Sequence, residues 1–302
     1  AVAQGLIWGI MAIGVYLTYR ILDVADLTVD GSLGTGGAVC VVMVLNGVPV
    51  GLALLAATAA GMLAGLVTGL FHTACGIPAI LAGILTQLAL YSVNLRIMGF
   101  GTGGGKANLP ISVDKYSLLV SARYVRNVAL NNPILILTIF CAVLIAVLYW
   151  FFGTELGCSL RATGANQNMA RAQGINTNVA KVLGLMISNG LVALAGGLLA
   201  QYQGFSDINM GRGAIVIGLA AVIIGEVIFS RIFRNFALKL LSAVIGAIIY
   251  YIVMVFVLRL GLSTDDLKLL TALVVALFLT IPYWKGKYFT KTSVKKGEKN
   301  HA

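Results

Sequence analysis

Charge is scarce in this chain: Asp, Glu, Lys and Arg together make up 10% of its 302 residues, and only 10 of them are acidic. That is too little for a water-facing surface, so the composition excludes an ordinary soluble domain. Histidine is rarer still, with His72 in a short loop and His301 near the end, and Cys40, Cys75, Cys141 and Cys158 are scattered without metal-ligand spacing. A metal site or histidine-based catalysis has no material here, and the thiols read as small apolar side chains rather than disulfide partners. No G-x-S-x-G elbow is present, which weakens the reading of an enzyme acting inside the membrane. The run 101–106 holds glycines and a lysine, but its first glycine stands one residue too late for a G-x-x-x-x-G-K phosphate loop. Ala107 follows where Ser or Thr would hold magnesium. The chain is therefore expected to bind no cofactor, with ATP and Mg²⁺ on a separate ATPase subunit. A basic start and a small-residue cleavage site are missing too, so residues 1–19 read as a retained helix rather than a signal peptide.

Long apolar runs are what the chain has in quantity. Hydrophobic residues make up 59%, and spans are expected at about 2–19, 33–46, 50–70, 78–95, 133–152, 181–203, 214–229, 236–258 and 268–283. This is an all-α polytopic membrane protein with about eight to ten transmembrane helices, organised as one membrane domain over 1–284 and a basic tail over 285–302. The run 33–46 is short for a crossing and reads as a half-helix or re-entrant segment. Gly61, Gly65 and Gly69 recur every fourth residue, a stripe suited to close helix packing in lipid. A net charge of +11 points to nucleic acid in a soluble chain, but here the basic residues flank membrane spans. Taking alternate loops together puts 13 Lys/Arg on the side of Arg20, 153–181, 230–239 and the tail, against 8 on the other. The richer side is expected to be cytoplasmic, which places the C-terminus there beside anionic lipid. On the outer side the loop 96–132 is the sizeable one, and its residues 112–126 are expected to form an amphipathic helix with Tyr116 and Tyr124 at headgroup depth.

The long polar insert 153–181 contains helix signals of its own. Asn166 is an N-cap, helix formers follow to Gln173, Gly174 stands at a left-handed C-terminal cap, and Asn176 opens the next apolar helix. A helix of two turns is marginal in water, so packing must hold it, against its own chain or in a socket on a partner. A small rigid knob suits a mechanical contact; a plain connecting loop is the alternative. The spacing of Gly164, Asn166, Ala170, Gly174 and Ile175, after Arg161, resembles the cytoplasmic coupling motif of permeases of bacterial ABC importers for branched-chain amino acids, ribose-type sugars and aromatic amino acids. The segment from Asp26 to Ser32 is similar to that family's Asp-Leu-Ser-Val-Gly segment, and the likeness continues through Gly196, Gly197 and the run 218–226. It covers roughly residues 1 to 282 and is greatest for the tryptophan/tyrosine permeases. The resemblance implies a bacterial inner-membrane location, a cytoplasmic ATPase dimer pressing on 164–174, a second permease chain in a homodimer, with a heterodimer as the alternative, and an external solute-binding protein; the loop 96–132 either helps to seat that protein or is a lid that covers helix ends.

Polar groups in apolar surroundings are the remaining leads, because a charge in lipid is costly unless it faces protein or water. Asp26, Thr28, Asp30 and Ser32, ahead of the short span, are candidates to line a solute path. Asn189, mid-span, reads better as a hydrogen bond to a neighbouring helix, and Glu226 as a salt bridge to Arg231 or Arg234, with a gate as the alternative. Two carboxylates ease passage of an ammonium group, and Asp30 stands where the sugar branch has glycine, so the expected solute is an aromatic or branched-chain amino acid. A sugar or nucleoside is the alternative. A secondary transporter without an ATPase is a weaker reading, since no inverted repeat is evident and it has no use for a preformed knob.

Overall fold

The computed structural model describes residues 1–101, 104–112, 115–122, 132–229 and 235–259, with 269, 272–278, 280 and 284 beyond. Ten α-helices occur among the described residues up to 259. Helix α1 (Val2–Tyr16) continues as a π-helical turn over Leu17–Leu22; α2 spans Val29–Leu45, α3 Val50–Thr73, α4 Ala79–Met98 and α5 Pro133–Phe151. Then come α6 (Glu155–Ala165), α7 (Gln167–Ala172), α8 (Thr177–Gln203), α9 (Ala214–Phe229) and α10 (Phe236–Arg259). Two three-residue strands, β1 (Asn108–Pro110) and β2 (Phe205–Asp207), pair antiparallel with Leu109 opposite Ser206.

Among the described residues six helices are long and apolar enough to cross a membrane: α1 with its π turn, α3, α4, α5, α8 and α10. Helices α1 and α8 are the most buried of them and form the centre, while α4 and α5 keep most of their surface outside. The glycine stripe decides how α3 meets that centre. A methyl group at Gly61 or Gly65 would overlap the backbone carbonyls of Asn189 or Leu185, and one at Gly69 would press on Val182, so bare backbone is required along the whole seam with α8. Gly196 makes the same kind of approach from α8 to Leu33 of α2.

Two helices are too short for the six. Helix α2 has 17 residues and α9 has 16. The short second span thus begins at Val29, four residues before its expected start, and Asp30 lies in its first turn rather than ahead of it. Thr28 at its start bonds Thr68 and, through it, Thr86, both inside the lengths of α3 and α4 rather than at their ends. From there α2 runs to the end of the bundle that carries the β1–β2 ribbon, where Tyr116 donates to the Leu45 carbonyl. The chain returns from α8 through β2 and 208–213 alongside α2, and α9 starts beside Asp30. Two helix N-termini therefore meet inside the bundle. Irregular backbone at such depth requires internal partners. Val24 N–H donates to the Thr18 carbonyl, Ile208 N–H to Ala107 and Arg212 N–H to Asn209.

Residues 272–278 are helical, and Val274 and Val275 pack against Ala220, Ile224, Tyr250 and Met254. The rest of the expected span 268–283 and the tail 285–302 lie outside the described residues. Of the expected interfacial helix over 112–126, the described residues 115–121 form turns, bends and irregular backbone instead of an α-helix, Val120 is buried, and Leu119 N–H donates to the Gln201 side chain. Burial of Val120 against the bundle competes with laying an apolar face on lipid. Tyr124 and Arg126 lie outside the described residues.

Candidate functional site

The knob forms from its caps inward. Asn166, in extended conformation, accepts from Asn168 N–H at 3.0 Å and Met169 N–H at 3.1 Å through Oδ1. At the other end Gly174 takes φ +81°, Gly174 N–H donates to Arg171 and Ile175 N–H to Ala170, so the exposed carbonyls of a short helix are closed by a Schellman turn. Asn176 then repeats the Asn166 pattern for α8, and Arg171 Nε donates to Thr177 Oγ1 at 2.9 Å. A further helix, α6, precedes the knob. Its signal was present in Thr154-Glu155, a capping hydroxyl followed by an acid in the first turn, and Thr154 Oγ1 accepts from Gly157 N–H.

Helix α6 sits on the end of α1, and α7 packs against α6 and α8. Gly164 packs directly against the Ile21 carbonyl, and Gly184 of α8 packs against Leu22 and Leu160. Ala170 is 2% exposed, so it holds the knob to its own chain rather than reaching outward; Met169, 61% exposed, is the apolar side chain that faces out. The Arg161 guanidinium lies 5.4 Å from the Phe236 ring of α10. For Glu226, the expected partners Arg231 and Arg234 lie outside the described residues. Its carboxylate takes a bidentate pair from Arg20, at 2.7 Å to Nε and 2.5 Å to Nη2. The pair links the end of α1 to the end of α9, a contact invisible to an argument from neighbouring positions.

The path candidates divide into two groups. Asp26, Thr28, Ser32 and Asn189 converge in a buried network. Asp26 Oδ1 accepts from Thr28 N–H, Asp26 Oδ2 accepts from Asn189 Nδ2 at 2.6 Å, and Ser32 Oγ donates to Asn189 Oδ1 at 2.6 Å. Asn189 thus bonds neighbouring chain, as its position predicts, and these four side chains hold the start of α2 to α8 rather than line an open surface. Asp30 stands apart. It is half-buried, and its carboxylate accepts from Gly213 N–H and Ile215 N–H, each at 2.9 Å, capping α9 instead of its own helix. It also lines a cleft of about 290 Å³ together with Gln87, Tyr91, Asn94 and Arg212. Those four were not singled out in the sequence; the available signal was a lone arginine just ahead of a short apolar helix. His72 closes α3 rather than lying in a loop, its Nδ1 within 2.9 Å of the Ile77 carbonyl.

Apolar helices packed through glycine seams, a polar junction of helix starts within them, and a capped helical knob at one end are the architecture of a polytopic membrane transport subunit. The family described as "Branched-chain amino acid transport system / permease component" matches residues 1–281, and the chain belongs to it, among the permease subunits of ABC importers. It is 41% identical over 276 residues to a "Tyrosine transport system permease protein" of Clostridioides difficile, covering 91% of this chain and 88% of that one. An uncharacterised protein of Rickettsia prowazekii is 37% identical over 93% of this chain and 95% of its own. An "Autoinducer 2 import system permease protein" of Salmonella paratyphi B is 28% identical over 72% of this chain and 59% of its own length. No solved structure matches the chain.

Proposed function

We propose that this chain is the membrane permease of an ATP-driven amino-acid importer in a bacterial plasma membrane, with tyrosine as solute. The observation that carries the solute is the 41% identity, sustained over nine-tenths of both chains, to a tyrosine transport permease. The weaker and shorter likeness to autoinducer permeases favours a sugar-like solute less. The chain supplies no nucleotide site; ATP and Mg²⁺ act on a separate ATPase pair, which grips the outward face of α7 at Met169. Because α6 is locked on the end of α1 through Gly164 and α7 is tied to α8 through Arg171, a push on the knob reaches both central helices. A second copy of the chain completes the path, and an external binding protein delivers the solute at the ribbon end. The end bearing α7 and the C-terminus face the cytoplasm.

The test is uptake of radiolabelled tyrosine into vesicles containing the permease, its ATPase and its binding protein. Tyrosine uptake that requires both ATP and the binding protein is expected. A binding protein that holds sugars and no amino acid would remove this reading.

A further inference from the structure

We propose that the cleft at the α2–α9 junction is a recognition station for the solute's zwitterionic head, with Arg212 binding the carboxylate and Asn94 the ammonium group. This rests on the amino-acid reading above.

Depth is the first argument. Gln87, Tyr91 and Asn94 lie roughly 12 to 22 Å along α4, a helix about 30 Å long, at 1.5 Å per residue. Arg212 is at the same level, its guanidinium 5.9 Å from the Tyr91 ring, and it is exposed on the protein surface. An exposed guanidinium at the middle of a bundle is costly against lipid, so this face must look onto a water-filled path or another protein chain. Counting Arg212 among the outer-loop charges, as its place in the sequence invites, misplaces it.

The second argument is unmet bonding capacity. Among the described residues Arg212 has no carboxylate partner; its one contact of note is the Tyr91 ring. Asn94 is 2% exposed and lines the same cleft, and its Oδ1 has no hydrogen-bond partner, while its Nδ2 reaches only the Gly31 carbonyl at 3.5 Å. A buried amide oxygen left unpaired is unfavourable, and a donor arriving in the cleft removes that cost. The two groups call for opposite partners: an anion at Arg212, a donor at Asn94. Asp30 adds a negative charge to the donor side, its oxygens already oriented by the start of α9. Tyr91, 42% exposed, offers a ring face for a flat apolar side chain. A carboxylate, an ammonium and an aromatic side chain on one small molecule meet all of these; a neutral sugar brings no carboxylate to Arg212.

The test uses complete importers in vesicles, comparing radiolabelled tyrosine uptake with binding-protein-stimulated ATP hydrolysis. Since the binding protein is common to all samples, its own selectivity cancels. Arg212→Gln is expected to slow uptake roughly ten- to hundredfold, the range of one charge-assisted hydrogen bond, with ATP hydrolysis retained. Arg212→Lys is expected to recover part of the loss, and Asn94→Leu to slow uptake while ATP hydrolysis continues. Parental tyrosine uptake with an Arg212→Gln variant that matches it would overturn the station alone. Loss of uptake and ATP hydrolysis together in Arg212→Gln would also overturn it, showing a role in assembly. A parental importer that carries no amino acid removes the solute reading and the station with it.

Discussion

Asn189 is held on both sides of its amide, donating to Asp26 and accepting from Ser32, with no exposure of its own. Removing it leaves a buried carboxylate oxygen unpaired, whereas removing both members of the pair leaves only the neutral donors Thr28 N–H and Ser32 Oγ short of a partner. Asn189→Leu should therefore destabilise the protein in detergent by about 2–3 kcal/mol, and adding Asp26→Leu should recover part of the loss. Thermal unfolding of the two single variants and the double measures it; a double variant worse than the sum of the singles would place the network in another role. The Arg20–Glu226 pair is a different case, since its side chains are 52% and 26% exposed. Water screens it, and Glu226→Gln should change stability by about 1 kcal/mol or less. A fall in tyrosine uptake by that variant at unchanged stability would revive the gate that its sequence position also allowed.

Helix α7 has six residues, too few to persist without its caps and its packing. Its two central side chains divide the work. Ala170 is buried against its own chain and Met169 is exposed, so Met169→Glu should abolish ATPase association and uptake while leaving the protein folded. Ala170→Glu should instead disorder the knob. Co-purification of the ATPase, with circular dichroism as control, separates the two; normal uptake by Met169→Glu would move the coupling surface elsewhere. At the α3–α8 seam the demand is steric. A side chain at Gly65 would meet the Leu185 backbone, which cannot retreat without moving α8, so Gly65→Val should reduce assembled protein in membranes, and unchanged yield would refute the seam's rigidity.

At the scale of the molecule, the end bearing α6 and α7 and the end bearing the ribbon lie on opposite sides of the bundle. With the four native cysteines removed, Lys106→Cys should react with an impermeant thiol reagent from outside intact cells and Asn168→Cys only after permeabilisation; the reverse pattern would invert the topology. Much of this was legible in the chain. Apolar runs located the long helices, Asn166, Gly174 and Asn176 marked the ends of the knob and the start of α8, and Gly61, Gly65 and Gly69 marked a seam. Each such signal acts within a few residues, through capping hydrogen bonds, backbone conformation or transfer into an apolar medium, so the sequence by itself determined them. Only the tertiary structure decided that Glu226 takes Arg20, 206 positions away, that Asp30 caps α9 rather than α2, and that Arg212 stands over Tyr91 at mid-depth. Those partners are chosen by which helices pack together, and packing between glycine-lined surfaces brings side chains into contact without leaving any trace in their sequence neighbours.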